Sequence, residues 1–82
     1  MKVIINIYPK KEILDPETDA VKNSLKNLGF NGLKNFTFGK KISYIVDNSD
    51  KNSVLISAKA MCENFLVNQN IQDYDIVFEE EN

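Results

Sequence analysis

The stretch Phe36-Thr37-Phe38-Gly39-Lys40-Lys41-Ile42-Ser43-Tyr44-Ile45-Val46 lies in the middle of the chain, and its reading decides how many strands the fold contains. Its large apolar residues Phe36, Phe38, Ile42, Tyr44 and Val46 are all even-numbered. Side chains of a strand alternate between its two faces, so residues of one parity share a face. A two-residue turn at Gly39-Lys40 would set Phe38 opposite Lys41 and Phe36 opposite Ser43, which mixes the faces. Two readings keep the faces consistent. One is a hairpin with the three-residue loop Gly39-Lys40-Lys41. The other is one long strand within residues 33–47, bent or bulged at Gly39. Glycine usually comes last rather than first in three-residue hairpin loops, which leans toward the bent strand.

Upstream, Lys2 to Tyr8 alternates, with Val3, Ile5 and Ile7 on one face and Ile4, Asn6 and Tyr8 on the other. This predicts a half-buried strand, ended by Pro9. Asp15-Pro16-Glu17 is a helix start: an N-cap, a proline suited to the first helical position, and acids facing the positive helix end. Val21, Ser24, Leu25 and Leu28 continue at helical spacing, and Gly29 stands where a left-handed C′ residue is expected. The helix is predicted over about residues 16–28. Downstream, Asn48 to Ser53 is a polar loop with several possible caps. From Val54 to about Val67 the stripe Leu55, Ala58, Met61, Cys62, Phe65 and Leu66 predicts a second amphipathic helix. Tyr74, Ile76 and Phe78 alternate with Asp75, Val77 and Glu79 as a last strand, and Glu79-Glu80-Glu81-Asn82 forms a charged, frayed end. The whole of 1–82 reads as one domain.

The order β-α-β(bent or split)-α-β implies an α+β, ferredoxin-like sandwich, an antiparallel sheet with two helices on one face. The other sheet face is then bare. Alternation places Ile4, Tyr8, Ile45 and Val77 on it, with Asn6, Thr37 and Ser43, and its apolar members make it a candidate dimer face. At 9.4 kDa such a chain should expose about 5,000 Å² when folded, roughly 60% of its extended surface being buried. That is a thin core, and self-association would thicken it.

Composition excludes several functions. The chain has no histidine, so it lacks an imidazole base, a Ser-His or Cys-His nucleophile and a His metal ligand. One cysteine permits neither an internal disulfide nor a multi-cysteine zinc site. All ten cations are lysine, so bidentate arginine clamps on phosphate are absent. The glycines at 29, 32 and 39 build neither a Walker loop nor a dinucleotide fingerprint. No apolar run is long enough for a membrane helix, and the opening Met1-Lys2-Val3-Ile4-Ile5-Asn6 has no signal-peptide core, so a cytoplasmic protein is expected. A net charge of −2 and the absence of an aromatic, basic sheet face argue against an RNA-binding domain of the same element order.

The individual candidates read mostly as structure. Cys62 and Met61 lie on the apolar helix stripe, and nothing in the chain activates the thiol. Asp15, Glu17 and Asp19 fit helix-start electrostatics better than a cation site. Asn35-Phe36-Thr37 matches a glycosylation sequon by chance in a chain without a secretory signal. Gly39, Lys40 and Lys41 form the least ordinary group. They are a turn or bulge flanked by solubilising lysines, or a contact at which a lysine on constrained backbone meets a partner. On fold alone an ACT-like domain, which binds a small ligand at a dimer interface, is the alternative.

Taken in order, Ile13-Leu14-Asp15-Pro16-Glu17, Ala20-Val21, Leu25, Leu28-Gly29-Phe30, Phe38-Gly39-Lys40-Lys41-Ile42, Met61-Cys62-Glu63, Phe65-Leu66-Val67-Asn68 and Ile71-Gln72-Asp73-Tyr74 resemble the PurS family along nearly the whole chain. PurS is the small subunit of phosphoribosylformylglycinamidine synthase in purine biosynthesis. Thr18-Asp19 departs from the family pattern, which has a glycine soon after the proline. The resemblance implies a non-catalytic subunit bridging the glutaminase PurQ and the ATP-dependent synthetase PurL, within a complex through which ammonia passes. It also implies a homodimer or homotetramer, no cofactor bound by this chain alone, and ATP and Mg used by PurL. Gly39, Lys40 and Lys41 would meet a larger subunit, while Ile4, Tyr8, Ile45 and Val77 would serve self-association.

Overall fold

The structure is a computed structural model that describes residues 1–11 and 13–79. Its elements are β1 (Lys2–Pro9), α1 (Pro16–Asn27), β2 (Lys40–Ile45), α2 (Lys51–Met61), a π-helical turn (Cys62–Leu66) and β3 (Gln72–Glu79). β1 is the central strand of a three-stranded sheet in the order β2-β1-β3, antiparallel on both sides. The chain is thus α+β, with the alternation read from β1 and β3 intact.

Register assembles the core. Val3 lies opposite Tyr44 and Phe78, Ile5 opposite Ile42 and Ile76, and Ile7 opposite Lys40 and Tyr74. Val54, Ala58 and Cys62, together with Val67, pack on Val3, Ile5 and Ile7 to form the buried cluster. Asp50 caps α2, accepting from the Asn52 amide at 3.2 Å and the Ser53 hydroxyl at 2.7 Å. Beyond the last strand, Glu80, Glu81 and Asn82, the frayed end expected from sequence, lie outside the described residues.

The middle segment joins the sheet only from Lys40 onward, so the sheet has three strands rather than a fourth supplied by a hairpin. A strand running through residues 33–47 is also absent: the segment is split at Gly39. Phe36 and Phe38 share parity with Ile42 and Tyr44 but not a sheet face. Positive φ values at Gly32 (77°) and Asn35 (55°) turn the backbone out of extension. The Phe38 amide donates to the Thr18 hydroxyl at 3.2 Å, which ties this segment to α1 instead of to a strand.

The two helices contribute unequally. α2 supplies buried residues to the core, whereas α1 has none. α1 is well formed locally. The Asp15 carboxylate accepts from the Thr18 amide at 3.0 Å and the Thr18 hydroxyl at 2.6 Å, and Gly29 comes after the C-cap Leu28 with φ 99°. Its stripe, however, leaves Leu28 74% exposed. The radius of gyration is 15.8 Å, against about 12 Å for a compact domain of this length. α2 also differs from a uniform stripe. The Val67 amide bonds back to the Cys62 carbonyl at 2.9 Å, five residues away. That extra residue leaves Cys62 and Val67 in the core and Phe65, which the sequence stripe places inside, 88% exposed.

Among the described residues, one buried side-chain polar atom is unmatched. The Tyr44 hydroxyl is buried without a hydrogen-bond partner, and burial, then the Cys62 thiol, pushes its pKa up. A donor left without a partner opposes folding. Tyr44→Phe should therefore raise stability by about 1 kcal/mol, read as a higher urea midpoint at unchanged slope. A lower midpoint would show that the hydroxyl has a partner.

Candidate interaction surface

Two sequence-predicted features meet at one end of the sheet. Asp15-Pro16-Glu17 at the start of α1 and Phe38-Gly39-Lys40 at the start of β2 line a single cleft of ≈ 290 Å³ with Ile7, Tyr8, Pro9 and Gln72. Gly39 is required there by space. A Cβ on it would stand 2.6 Å from the Ile7 carbonyl oxygen, closer than real Cβ contacts come. The backbone entering β2 is thereby pressed against β1, and the pleat then separates the two lysines. Lys40 lies on the cleft, where its charge helps to hold the Asp15 carboxyl below the usual carboxylate range. The larger causes of that lowering are the hydrogen bonds from the Thr18 hydroxyl and amide. Lys41 sits opposite Asn6 on the other sheet face. The group Gly39-Lys40-Lys41 is therefore divided between two surfaces.

A larger cleft of ≈ 610 Å³ adjoins the first through Tyr8, Pro9 and Asp15 and adds Ile13, Leu14, Phe36 and Asp73. Leu14 is 85% exposed at its rim. The acids at the start of α1 act as sequence predicted: Asp15 caps the helix, and Glu17 and Asp19 occupy its first turn. Among the described residues, no group of three or more acidic, cysteine or histidine side chains is placed to hold a metal ion. Cys62 is fully buried, with its pKa raised by burial and then by Glu63, so the thiol is a core group.

The open sheet face is set by the register. Lys2 stands between Ile45 and Glu79, Ile4 between Ser43 and Val77, and Asn6 between Lys41 and Asp75. Ile45 is 65% exposed, Val77 44% and Tyr8 37%. Ile4 departs from the expectation of an exposed dimer face. It has a neighbour on either side, is only 6% exposed, and stands apart from the cluster beneath α2. Its flanks rather than Ile4 itself therefore present apolar surface. The polar side chains around them are already organised: Asn6 donates to Asp75 at 2.8 Å and Lys2 pairs with Glu79 at 3.9 Å. Sequence reasoning passed over Ile56, 69% exposed on α2, and the signal was present: an isoleucine off the buried stripe. For Phe65 no signal existed, because the π-helical turn that exposes it has no pattern in the sequence.

These features define a class: a small α+β chain with one open sheet face and two adjoining clefts at one end of the sheet. The PurS family, "Phosphoribosylformylglycinamidine (FGAM) synthase", matches residues 2–80. The phosphoribosylformylglycinamidine synthase subunit PurS of Bacillus subtilis (strain 168) is 34% identical over 80 residues, spanning 96% of this chain and 93% of that protein. The crystal structure of PurS from Methanocaldococcus jannaschii, one of the subunits of formylglycinamide ribonucleotide amidotransferase, is similar with a TM-score of 0.82 and 32% identity, covering 99% of this chain and 98% of that one. A chain of the PurLQS structure from Thermotoga maritima gives a TM-score of 0.78 at 25% identity, with 93% of each chain covered. The chain belongs to the PurS family.

Both sides of the smaller cleft can be probed by substitution. Gly39→Ala forces a Cβ against the Ile7 carbonyl and should cost about 1–3 kcal/mol, the range for overpacking, measured by denaturant unfolding. An unchanged midpoint would show that β2 can move away freely. Asp15 has a lowered folded pKa, so its contribution is complete above the ordinary carboxylate range and is lost as pH falls through the lowered value. Helicity measured by circular dichroism should decline through that acid window in the wild type. The decline should be smaller in Asp15→Asn, which caps without titrating. Identical acid profiles would remove Asp15 as the cause.

Proposed function

We propose that this chain is the non-catalytic PurS subunit of phosphoribosylformylglycinamidine synthase. It joins the glutaminase PurQ to the synthetase PurL in the complex that converts formylglycinamide ribonucleotide, ATP and glutamine to formylglycinamidine ribonucleotide. The family match over residues 2–80, together with the likeness to a chain of the PurLQS structure, carries this reading. It is a subunit of an ATP-dependent amidotransferase and contributes no catalytic group of its own. ATP and Mg act at PurL, and the chain works in the cytoplasm as a single domain. No helix of the described residues is long and apolar enough to cross a membrane. An ACT-like ligand sensor is not favoured, because the match to PurS runs along the entire described sheet and both helices.

The physical task is positional. Ammonia released at one site must reach another before it is protonated or lost to water. An adaptor that fixes the relative orientation of two subunits and helps to exclude solvent serves that transfer. In this reading the open face, with Tyr8, Ile45 and Val77 around Ile4, supports self-association into a dimer or tetramer. Gly39, Lys40 and Lys41, at the sheet end, meet a larger subunit.

Adding the chain to PurL and PurQ should stimulate synthesis with glutamine and have little effect with free ammonia. Equal stimulation with both nitrogen sources would refute the adaptor role. Lys40→Glu should weaken complex formation and lower glutamine-dependent activity, while the isolated chain still folds, as a cooperative thermal transition would show. Full glutamine-dependent activity in that variant would take Lys40 out of the contact.

A further inference from the structure

Asn31-Gly32 is the one place in the chain where an asparagine stands directly before a glycine. An asparagine carboxamide can be attacked by the backbone nitrogen that follows it, and the side chain of the following residue normally shields that nitrogen. Glycine has no side chain to do so. The structure leaves this pair open as well. Both residues are exposed, in the loop between α1 and β2. A Cβ built on Gly32 would meet nothing within 4 Å. Among the described residues the Gly32 amide donates no hydrogen bond, so no pairing holds it back. The Asn31 carboxamide is held only by a 3.4 Å bond from Nδ2 to the Gly29 carbonyl, longer than ordinary N–H···O bonds. Other asparagines are better restrained. Asn6 lies in β1 and donates to Asp75 at 2.8 Å. Asn23 lies inside α1. Asn70 precedes Ile71, whose amide is bonded to the Asn68 carbonyl at 3.1 Å.

The surroundings favour the reaction electrostatically. Asn31 and Gly32 line a cleft of ≈ 530 Å³ with Lys22, Lys26 and Lys34, and Asp19 is the single acid there. The attacking nitrogen must carry a negative charge, and nearby cations stabilise the charged form of such a group. The same lysines then surround the carboxylate that results.

We propose that Asn31 is a modification site that deamidates in the folded chain, at a rate raised by the lysines of this cleft. Hydroxide removes the Gly32 amide proton, and the nitrogen attacks Asn31 Cγ. An N–Cγ bond forms as the Cγ–Nδ2 bond breaks, and Nδ2 takes up a proton from water and leaves as ammonia. A water molecule then opens the cyclic imide. Cleavage of the N–Cγ bond gives aspartate. Cleavage of the bond from the nitrogen to the backbone carbonyl carbon of residue 31 gives isoaspartate, in which the chain runs through Cβ. Either product adds a negative charge to the cleft, so the lysine face of α1 becomes less positive as the protein ages.

Peptide mapping of the folded full-length chain after incubation in neutral buffer tests this. Trypsin cuts after Lys26 and Lys34, and fragmentation of the peptide between them separates Asn31 from Asn27. Aspartate and isoaspartate are expected at residue 31 before any other asparagine has changed, and Asn31→Gln should abolish the signal. Unfolding in urea should not speed the reaction, because the folded loop is already open. A residue 31 that stays intact in the folded chain and reacts only in urea would overturn the proposal. Lys22→Gln/Lys26→Gln/Lys34→Gln should slow the folded-state reaction about threefold, the scale of a few solvent-screened charges, and added salt should slow the wild type toward the same rate. A rate unmoved by both the substitutions and salt would overturn the part given to the lysines.

Discussion

The constraint on which the molecule depends is that β1 is paired along both edges. With β2 on one side and β3 on the other, Val3, Ile5 and Ile7 are fixed at the centre of one sheet face, the only place where α2 can build a core. The same pairing turns Lys2, Ile4, Asn6 and Tyr8 to the opposite face. A one-residue slip would exchange the two sets, so the register is held by burial on one side alone. The chain has one helix that contributes buried residues and two sheet faces, and it cannot cover both. An unfilled face is therefore built into the topology.

The Gly39 close approach belongs to the same constraint. β2 begins where the chain must come against the Ile7 carbonyl, and a side chain at residue 39 would collide with it. This fixes where the ladder starts, and with it the positions of Lys40 and Lys41 on opposite surfaces. It also fixes the site at which the chain after α1 returns to the sheet. The cap of α1 stands across the cleft from that return, joined to it by the hydrogen bond from the Phe38 amide to Thr18. Two sequence features more than twenty residues apart thus become one structural unit through a single glycine and a single hydroxyl.

Periodic and local features were legible in the sequence. Alternation in β1 and β3, the Asp15-Pro16 start, and Gly29 after Leu28 depend on local geometry, and the structure has them where residue type puts them. Parity failed in the middle segment because it assumes extended backbone. Asn35 at positive φ breaks that assumption without breaking the pattern of Phe36 and Phe38. Phe65 failed for a related reason: helical spacing assumes four-residue hydrogen bonds, and the five-residue bonding of the π-helical turn at Cys62–Leu66 shifts the residues of that turn out of phase. Ile4 illustrates the limit of face assignment. Alternation gives its side correctly, but its burial depends on flanking strands, and sheet order is not written in one strand. The unequal use of the helices was illegible too, since an amphipathic stripe states that a helix needs a partner and not which chain supplies it.

The composition bears on how such surfaces act. Every cation is a lysine, a strongly hydrated point charge on a flexible stem, unsuited to the rigid bidentate pairs that arginine makes. Charges of this kind steer approach and exclude wrong orientations more than they add affinity. Affinity must then come from apolar area, and exposed apolar residues lie in several places: Ile45 and Val77 on the sheet, Leu28 and Phe30 after α1, Leu14 at the larger cleft, and Ile56 and Phe65 on α2 and its π-helical turn. A chain without histidine or arginine has little with which to run chemistry at neutral pH, but it retains the means of orienting a partner. It has a sheet paired on both sides of β1, apolar surfaces at defined places on it, and lysines beside them of the kind that steers association.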